Sequence, residues 1–169
     1  ATRKVLMQAP KNGFYYVLDR QTGELISAEN YIDITWASHV DMETGRPVEV
    51  PGARYEETPF TIFPSYLGGH NWHPMAYNPN TELMYIPALD LGFPIKDIGK
   101  YTFLERHWNL GYAVKATPLP ILLNQAVMAA SIKSFLLAWH PQKGEVWRRP
   151  TPLMGNGGIL TTAGNLVFQ

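Results

Sequence analysis

The sequence contains no cysteine. That absence excludes a disulfide framework, a thiolate metal site and a Cys-x-x-Cys-His haem attachment within this stretch. Net charge is also absent, because 14 Lys and Arg balance 14 Asp and Glu. Nothing in that balance favours a polyanionic partner, and no nucleic acid is expected. No long uninterrupted apolar run is present either. The best candidate, Pro118 to Trp139, carries Pro118, Pro120, Asn124, Gln125 and Lys133, each costly in a membrane-spanning helix. Within it, Ala126, Ala129, Ala130, Ile132 and Leu136 recur at roughly helical spacing, so Gln125 to Leu137 reads as a short helix leading into a strand. There is no signal-peptide pattern. The chain opens on Arg3-Lys4-Val5-Leu6-Met7, a strand already in progress, and closes on Asn165-Leu166-Val167-Phe168-Gln169, a strand with no following turn. Both ends read as cut.

What the chain does have is enough apolar material for a core, with 46% hydrophobic and 12% aromatic residues in 169. It also has a repeated turn. Tyr15 to Ile26 reads as strand, turn and strand, with Asp19 and Gly23 marking the reversal. Val40 to Pro47 repeats the Asp-x-x-Thr-Gly pattern; Tyr77 to Ile86 replaces Asp with Asn and lacks the Gly; Leu137 to Trp147 is a fourth copy. Ala163-Gly164-Asn165 forms a further turn between two β-rich runs. Such hairpins suit either the radial blades of a β-propeller or a β-sandwich, and the recurring turn favours the propeller. Ile32 to Trp36 and Arg46 to Pro64 read as long irregular loops on one face of it.

Two peptides stand apart from this scaffold. Gly68-Gly69-His70-Asn71-Trp72-His73-Pro74 combines a glycine pair, which lets a ligand approach the backbone, with an amide and a large π-face. Pro10-Lys11-Asn12-Gly13 adds a cation. Each has a plainer reading: Lys11 as a turn lysine, Asn71 as a turn cap, Trp72 as core. His70 and His73 have metal-like spacing but no third ligand, and Pro74 argues against a helix that would present them together, so both read as structural. Asp19 and Asp41 read as turn residues, since Asx side chains bond their own backbone there. Asp33 is left without a role. Trp36, Trp108, Trp139 and Trp147 read as packing residues, with Trp139 and Trp147 expected to pack across a hairpin.

The matching stretches carry a resemblance over nearly the whole chain. Gln8-Ala9-Pro10-Lys11-Asn12-Gly13-Phe14 through Arg20, Gly69-His70-Asn71-Trp72 with Pro74-Met75, Tyr85-Ile86-Pro87-Ala88 and Thr161 to Gln169 resemble a pyrroloquinoline quinone (PQQ)-dependent alcohol dehydrogenase of the quinoprotein or quinohaemoprotein type related to methanol dehydrogenase. The resemblance implies an all-β fold, part of an eight-bladed propeller with antiparallel four-stranded blades and long inter-strand loops. Residues 1–169 would form one partial propeller domain with no second domain.

The resemblance further implies oxidation of alcohols to aldehydes or ketones by hydride transfer to PQQ. Lys11 would lie against the quinone oxygens, with Asn71 and Trp72 in the cofactor contact shell on the far side of the propeller axis. A fixed ammonium would stabilise charge developing on a quinone oxygen. The catalytic base and the Ca2+ ligands are expected outside this segment, so no carboxylate receives either role. The expected partners are an alcohol substrate, the remainder of the propeller, and a cytochrome or haem domain as electron acceptor, with haem c in a further domain. The family implies a periplasmic location. Gly155 stands before Asn156-Gly157-Gly158 where relatives often have Trp, which would alter the pocket wall. The alternative is a non-catalytic propeller scaffold or binding module, which would need the repeated turns but not Lys11, Asn71 and Trp72 together.

Overall fold

A computed structural model of the chain describes residues 3–107, 109–112, 132–152 and 157–169. Among these residues every regular element is a β-strand. The first sheet is an antiparallel meander of β1 (Val5–Gln8), β2 (Phe14–Asp19) and β3 (Leu25–Asn30), in that order. The run Phe14-Tyr15-Tyr16-Val17 explains the central strand, because aromatic and β-branched side chains pack well on a pleated surface and alternate between its faces. Tyr15 and Val17 enter one core, whereas Phe14 and Tyr16 enter another.

The chain then leaves the sheet. β4 (Ala37–Val40) and β5 (Pro47–Glu49) form a hairpin, and β6 (Phe60–Ile62) pairs with the later β9 (Phe93–Ile95). The region Arg46 to Pro64 is therefore not wholly irregular as the sequence suggests, since β5 and β6 lie inside it. Ala37 and Val40 cover Phe14, with Ile34 and Trp36 packed beside them, which closes the outer face of the first sheet.

The second sheet holds β7 (Ala76–Asn78), β8 (Leu83–Asp90), β10 (Lys133–His140) and β11 (Gly144–Pro150), ordered β11-β10-β8-β7 with every pair antiparallel. Its middle strands are buried on both faces. Met84, Ile86 and Ala88 of β8 and Phe135, Leu137 and Trp139 of β10 pack against Tyr15, Val17, Tyr31 and Ile32 of the first sheet and its exit. Tyr85 and Ala138 point the other way, toward Ile159 and Val167. Lys133 to Leu137 thus forms strand rather than the end of a helix. Period-two burial between two layers overrides the loosely helical spacing, and the part of that segment before residue 132 lies outside the described residues. The two-stranded pair β12 (Leu160–Thr161) and β13 (Val167–Phe168) completes the fold beside β7.

The repeated turn takes a common form. Asp19, Asp41, Asn78 and His140 each accept a hydrogen bond on the side chain from the backbone N–H two residues later, at 2.8, 2.9, 2.9 and 3.1 Å. Four residues after each comes a positive φ, in Gly23, Gly45, Glu82 and Gly144. The expected Asx role of Asp19 and Asp41 is what the structure contains. These bonds hold both carboxyls below the usual carboxylate range, chiefly through the N–H of Gln21 for Asp19 and of Thr44 for Asp41. Trp139 and Trp147 do not pack on each other. A bulge between Ala138 and Trp139 places Trp147 opposite Ala138, on the face of Tyr85, while Trp139 faces Tyr15. Trp108 lies outside the described residues.

Candidate functional site

The turn between β1 and β2 carries Lys11, and its backbone is held at four successive carbonyls. The oxygen of Ala9 lies 2.6 Å from Nδ1 of His70, and that of Pro10 accepts from the Tyr31 hydroxyl at 2.8 Å. The Lys11 oxygen accepts from the Gly69 N–H at 3.1 Å, and the Asn12 oxygen from the Trp36 indole at 3.0 Å. Three donors are side chains and one is backbone, so the turn is fixed by its surroundings more than by its own sequence. Burial holds the Tyr31 hydroxyl far above the usual phenol range, which keeps it protonated and able to donate.

The glycine peptide reaches this turn because it has no side chains. A Cβ on Gly69 would lie 2.1 Å from Ile32 Cδ1 and 2.8 Å from the Tyr31 hydroxyl oxygen. One on Gly68, whose φ is +84°, would lie 2.6 Å from Lys11 Cγ and 2.8 Å from the His70 carbonyl oxygen. The Lys11 stem therefore lies along Gly68, and its ammonium donates to the Tyr66 carbonyl at 3.3 Å. On the other side the Gly69 oxygen accepts from the Leu89 N–H at 2.7 Å, which ties the peptide to the end of β8. The two peptides are immediate neighbours. They touch directly, because the β1–β2 turn and the entry to β7 lie at the same end of two neighbouring sheets.

Asn71 and Trp72 follow at once. Asn71 is half-buried; its amide donates to the Leu67 oxygen at 3.0 Å, and its side-chain oxygen accepts from the Trp72 N–H at 2.9 Å. One amide hydrogen remains for a ligand. Trp72 is 79% exposed and stacks on His73 with centroids 4.3 Å apart. It is not core, and one face of its ring is presented outward. His70 is buried, with both ring nitrogens at backbone carbonyls, which agrees with a structural histidine rather than a metal ligand. Among the described residues no group of three or more His, Asp or Glu is arranged to hold a metal ion.

Two features near the site were not legible beforehand. Tyr66, Phe93 and Tyr112 form an aromatic cluster, with Tyr66 and Phe93 edge to face at 5.2 Å and Phe93 and Tyr112 at 6.0 Å. Burial, then Tyr66 and Tyr55, raise the Tyr112 hydroxyl above its ordinary range. Their separation in sequence hid the cluster. Asp90, at the end of β8, has a buried oxygen that finds no partner among the described residues. Its carboxyl is pushed above the usual range by burial and then by Asp33, against the opposing pull of Lys133 and Arg148. Asp33 itself is exposed. Gly155 and Asn156 lie outside the described residues.

No family model matches the chain. Individual proteins do. The chain is 51% identical over 170 residues to quinohemoprotein alcohol dehydrogenase ADH IIB of Pseudomonas putida, a match that takes in 99% of this chain and 23% of that protein. The solved quinohemoprotein alcohol dehydrogenase ADHIIG of Pseudomonas putida HK5 superposes with a TM-score of 0.85 at 40% identity, over 98% of this chain and 25% of that one. The chain matches a segment of the quinohaemoprotein alcohol dehydrogenases. It spans about a quarter of the length of these relatives. A europium-containing methanol dehydrogenase has the same fold more distantly, with a TM-score of 0.77 at 25% identity over 99% of this chain. Coverage this complete means that the likeness to quinohaemoprotein alcohol dehydrogenases runs through both sheets and through the peptides of Lys11 and Asn71.

Proposed function

We propose that this chain is part of the cofactor-binding β-propeller of an enzyme that oxidises alcohols to aldehydes or ketones with PQQ. The two sheets are then neighbouring blades, and β12 with β13 begins a third. The observation that carries the reading is the direct contact between the Lys11 turn and the Gly68–Trp72 peptide in a chain that aligns over 99% of its own length with a segment of a quinohaemoprotein alcohol dehydrogenase. The residues suit a flat, anionic quinone. Gly68 and Gly69 leave a backbone surface with no Cβ, Trp72 exposes a ring face, and Lys11 supplies a cation.

When bound, PQQ supplies the hydride acceptor. Lys11 holds an ammonium at a fixed point through the Tyr66 carbonyl and the four anchored carbonyls of its turn, which lowers the reorganisation needed to stabilise negative charge. Asn71 offers one amide hydrogen, and Trp72 a surface for stacking. The general base, the Ca2+ ligands and a haem domain or cytochrome acceptor belong to parts of the enzyme beyond this chain, and its location is periplasmic.

The test uses the complete polypeptide with PQQ and Ca2+, following quinone uptake by fluorescence quenching and dye reduction by a panel of alcohols. Lys11→Ala should weaken uptake and lower turnover. Absence of uptake by the folded protein overturns the reading and supports a non-catalytic scaffold.

A further inference from the structure

The residue that joins the two halves of the site is neither Lys11 nor Asn71. His70 is 5% exposed, and its ring lies between two backbone carbonyls. Nδ1 is 2.6 Å from the Ala9 oxygen, and Nε2 is 2.7 Å from the His73 oxygen. Ala9 lies two residues before Lys11, and His73 directly follows Trp72. A carbonyl oxygen only accepts, so each contact is a hydrogen bond only if the facing nitrogen carries a hydrogen. A neutral ring has one hydrogen and would set a lone pair against the other oxygen at hydrogen-bond distance. The doubly protonated ring satisfies both, and such charge-assisted bonds are short.

We propose that His70 is a positioning residue that carries hydrogen on both ring nitrogens and clamps the Lys11 turn to the Asn71–Trp72 peptide, setting the spacing on which quinone binding depends. The inference rests on the cofactor-site reading above. The clamp does not act alone, because the Gly69 N–H donates to the Lys11 oxygen and the Tyr31 hydroxyl to the Pro10 oxygen. Only His70, however, ties one carbonyl on each side through a single rigid ring. The titratable groups on the surrounding elements are Lys11 on the clamped turn, Tyr31 and Asp33 after β3, His73 on the same peptide and Asp90 at the end of β8.

The experiment takes the complete quinone-free polypeptide with 15N-labelled histidine. At neutral pH the His70 resonances, assigned by their loss in His70→Gln, should show hydrogen on both ring nitrogens. A ring with one bare nitrogen overturns the charged clamp. In parallel, PQQ is titrated into wild type, His70→Ala and His70→Gln. The glutamine amide donates from one end only and keeps one of the two links. Affinity should fall about tenfold or more in His70→Ala and less in His70→Gln. Gly69 N–H exchange with deuterium should quicken in both variants. Wild-type affinity and exchange in His70→Ala overturn the positioning role. If wild type takes up no quinone, the cofactor reading fails, while the ring resonances and the exchange still decide whether the clamp exists. If the variants do not fold, the wild-type ring resonances, assigned from sequential backbone connectivities instead, decide the charged state.

Discussion

Glu82 occupies, in the turn headed by Asn78, the place that Gly144 occupies in the turn headed by His140, and it accepts the same left-handed backbone with φ of 57° against 79°. A Cβ there is strained, and Glu82 has little to offset the strain. Its carboxylate is 3.8 Å from His140 Nε2 but largely exposed, and Nδ1 of that ring accepts from the Gln142 N–H, so the contact adds little. Glu82→Gly should therefore stabilise the fold by about 0.5–1 kcal/mol, the strain relieved less the extra freedom of the unfolded glycine. Chemical denaturation of the complete polypeptide checks it, and a lower midpoint with unchanged slope would contradict the strain argument.

The opposite substitution tests the glycine contact. In Gly69→Ala the new methyl meets Ile32 Cδ1 at 2.1 Å, with the Tyr31 hydroxyl close behind. Overpacking of this kind costs about 1–3 kcal/mol. The displaced peptide carries the N–H that bonds the Lys11 oxygen, so PQQ affinity should fall together with stability. Adding Ile32→Val removes the atom that clashes first and should recover part of both, read as a positive coupling in a double-mutant cycle.

How much of this was readable from the chain depends on the range over which each cause acts. The hairpins around Asp19, Asp41, Asn78 and His140 were legible because a side-chain acceptor and a left-handed residue four positions later, glycine in all but the Asn78 turn, act locally. So was the flat glycine-tryptophan peptide. The helical spacing does not hold over Lys133 to Leu137, because strand burial between two layers is a tertiary effect, whereas alanine spacing is local. The direct contact of Lys11 with Gly68 was hidden for the same reason. It depends on which ends of two sheets meet, and that is not encoded in either peptide. His70 was read as structural, and its partners Ala9 and His73 became visible only when the turn and the β7 entry came together.

Asp90 gives the fold a pH dependence whose sign follows from its surroundings. Burial and Asp33 raise its carboxyl above the usual range, so the folded protein holds this proton more tightly than the unfolded chain. Its contribution is favourable at low pH and declines as pH rises from the ordinary carboxylate range through the raised value. Asp90→Asn removes that loss. The variant should be more stable than wild type at neutral pH, by less than about 1 kcal/mol because solvent screens a half-exposed group, and the gain should vanish below the ordinary carboxylate range. Thermal melts between acid and neutral pH read it out, and a gain that persists in acid would point to packing rather than charge.

The apolar faces outside the three core clusters make a prediction about the chain alone. Leu160 and Phe168 of the last strand pair and Leu166 just before β13 are 61%, 53% and 58% exposed. The propeller reading covers them with further blades. Expressed by itself, the chain should self-associate or lack a cooperative transition, because paired strands with one bare apolar face seek a partner. Sedimentation of a stable monomer with cooperative unfolding would count against the blade assignment.

Trp72 separates binding from folding more cleanly than any other residue of the site. It is 79% exposed and its ring touches His73, so removing it opens no cavity in either core. Trp72→Ala should leave stability within about 0.5 kcal/mol of wild type, as for surface substitutions generally. Stacking on an aromatic face contributes about 0.5–1.5 kcal/mol, which corresponds to a loss of roughly two- to tenfold in PQQ affinity. Phe at the same position keeps a ring face and should recover most of that affinity. Equal quinone affinity in wild type and Trp72→Ala, with both proteins folded, would remove Trp72 from the cofactor site while leaving Lys11 and the glycine contact to be judged by their own variants.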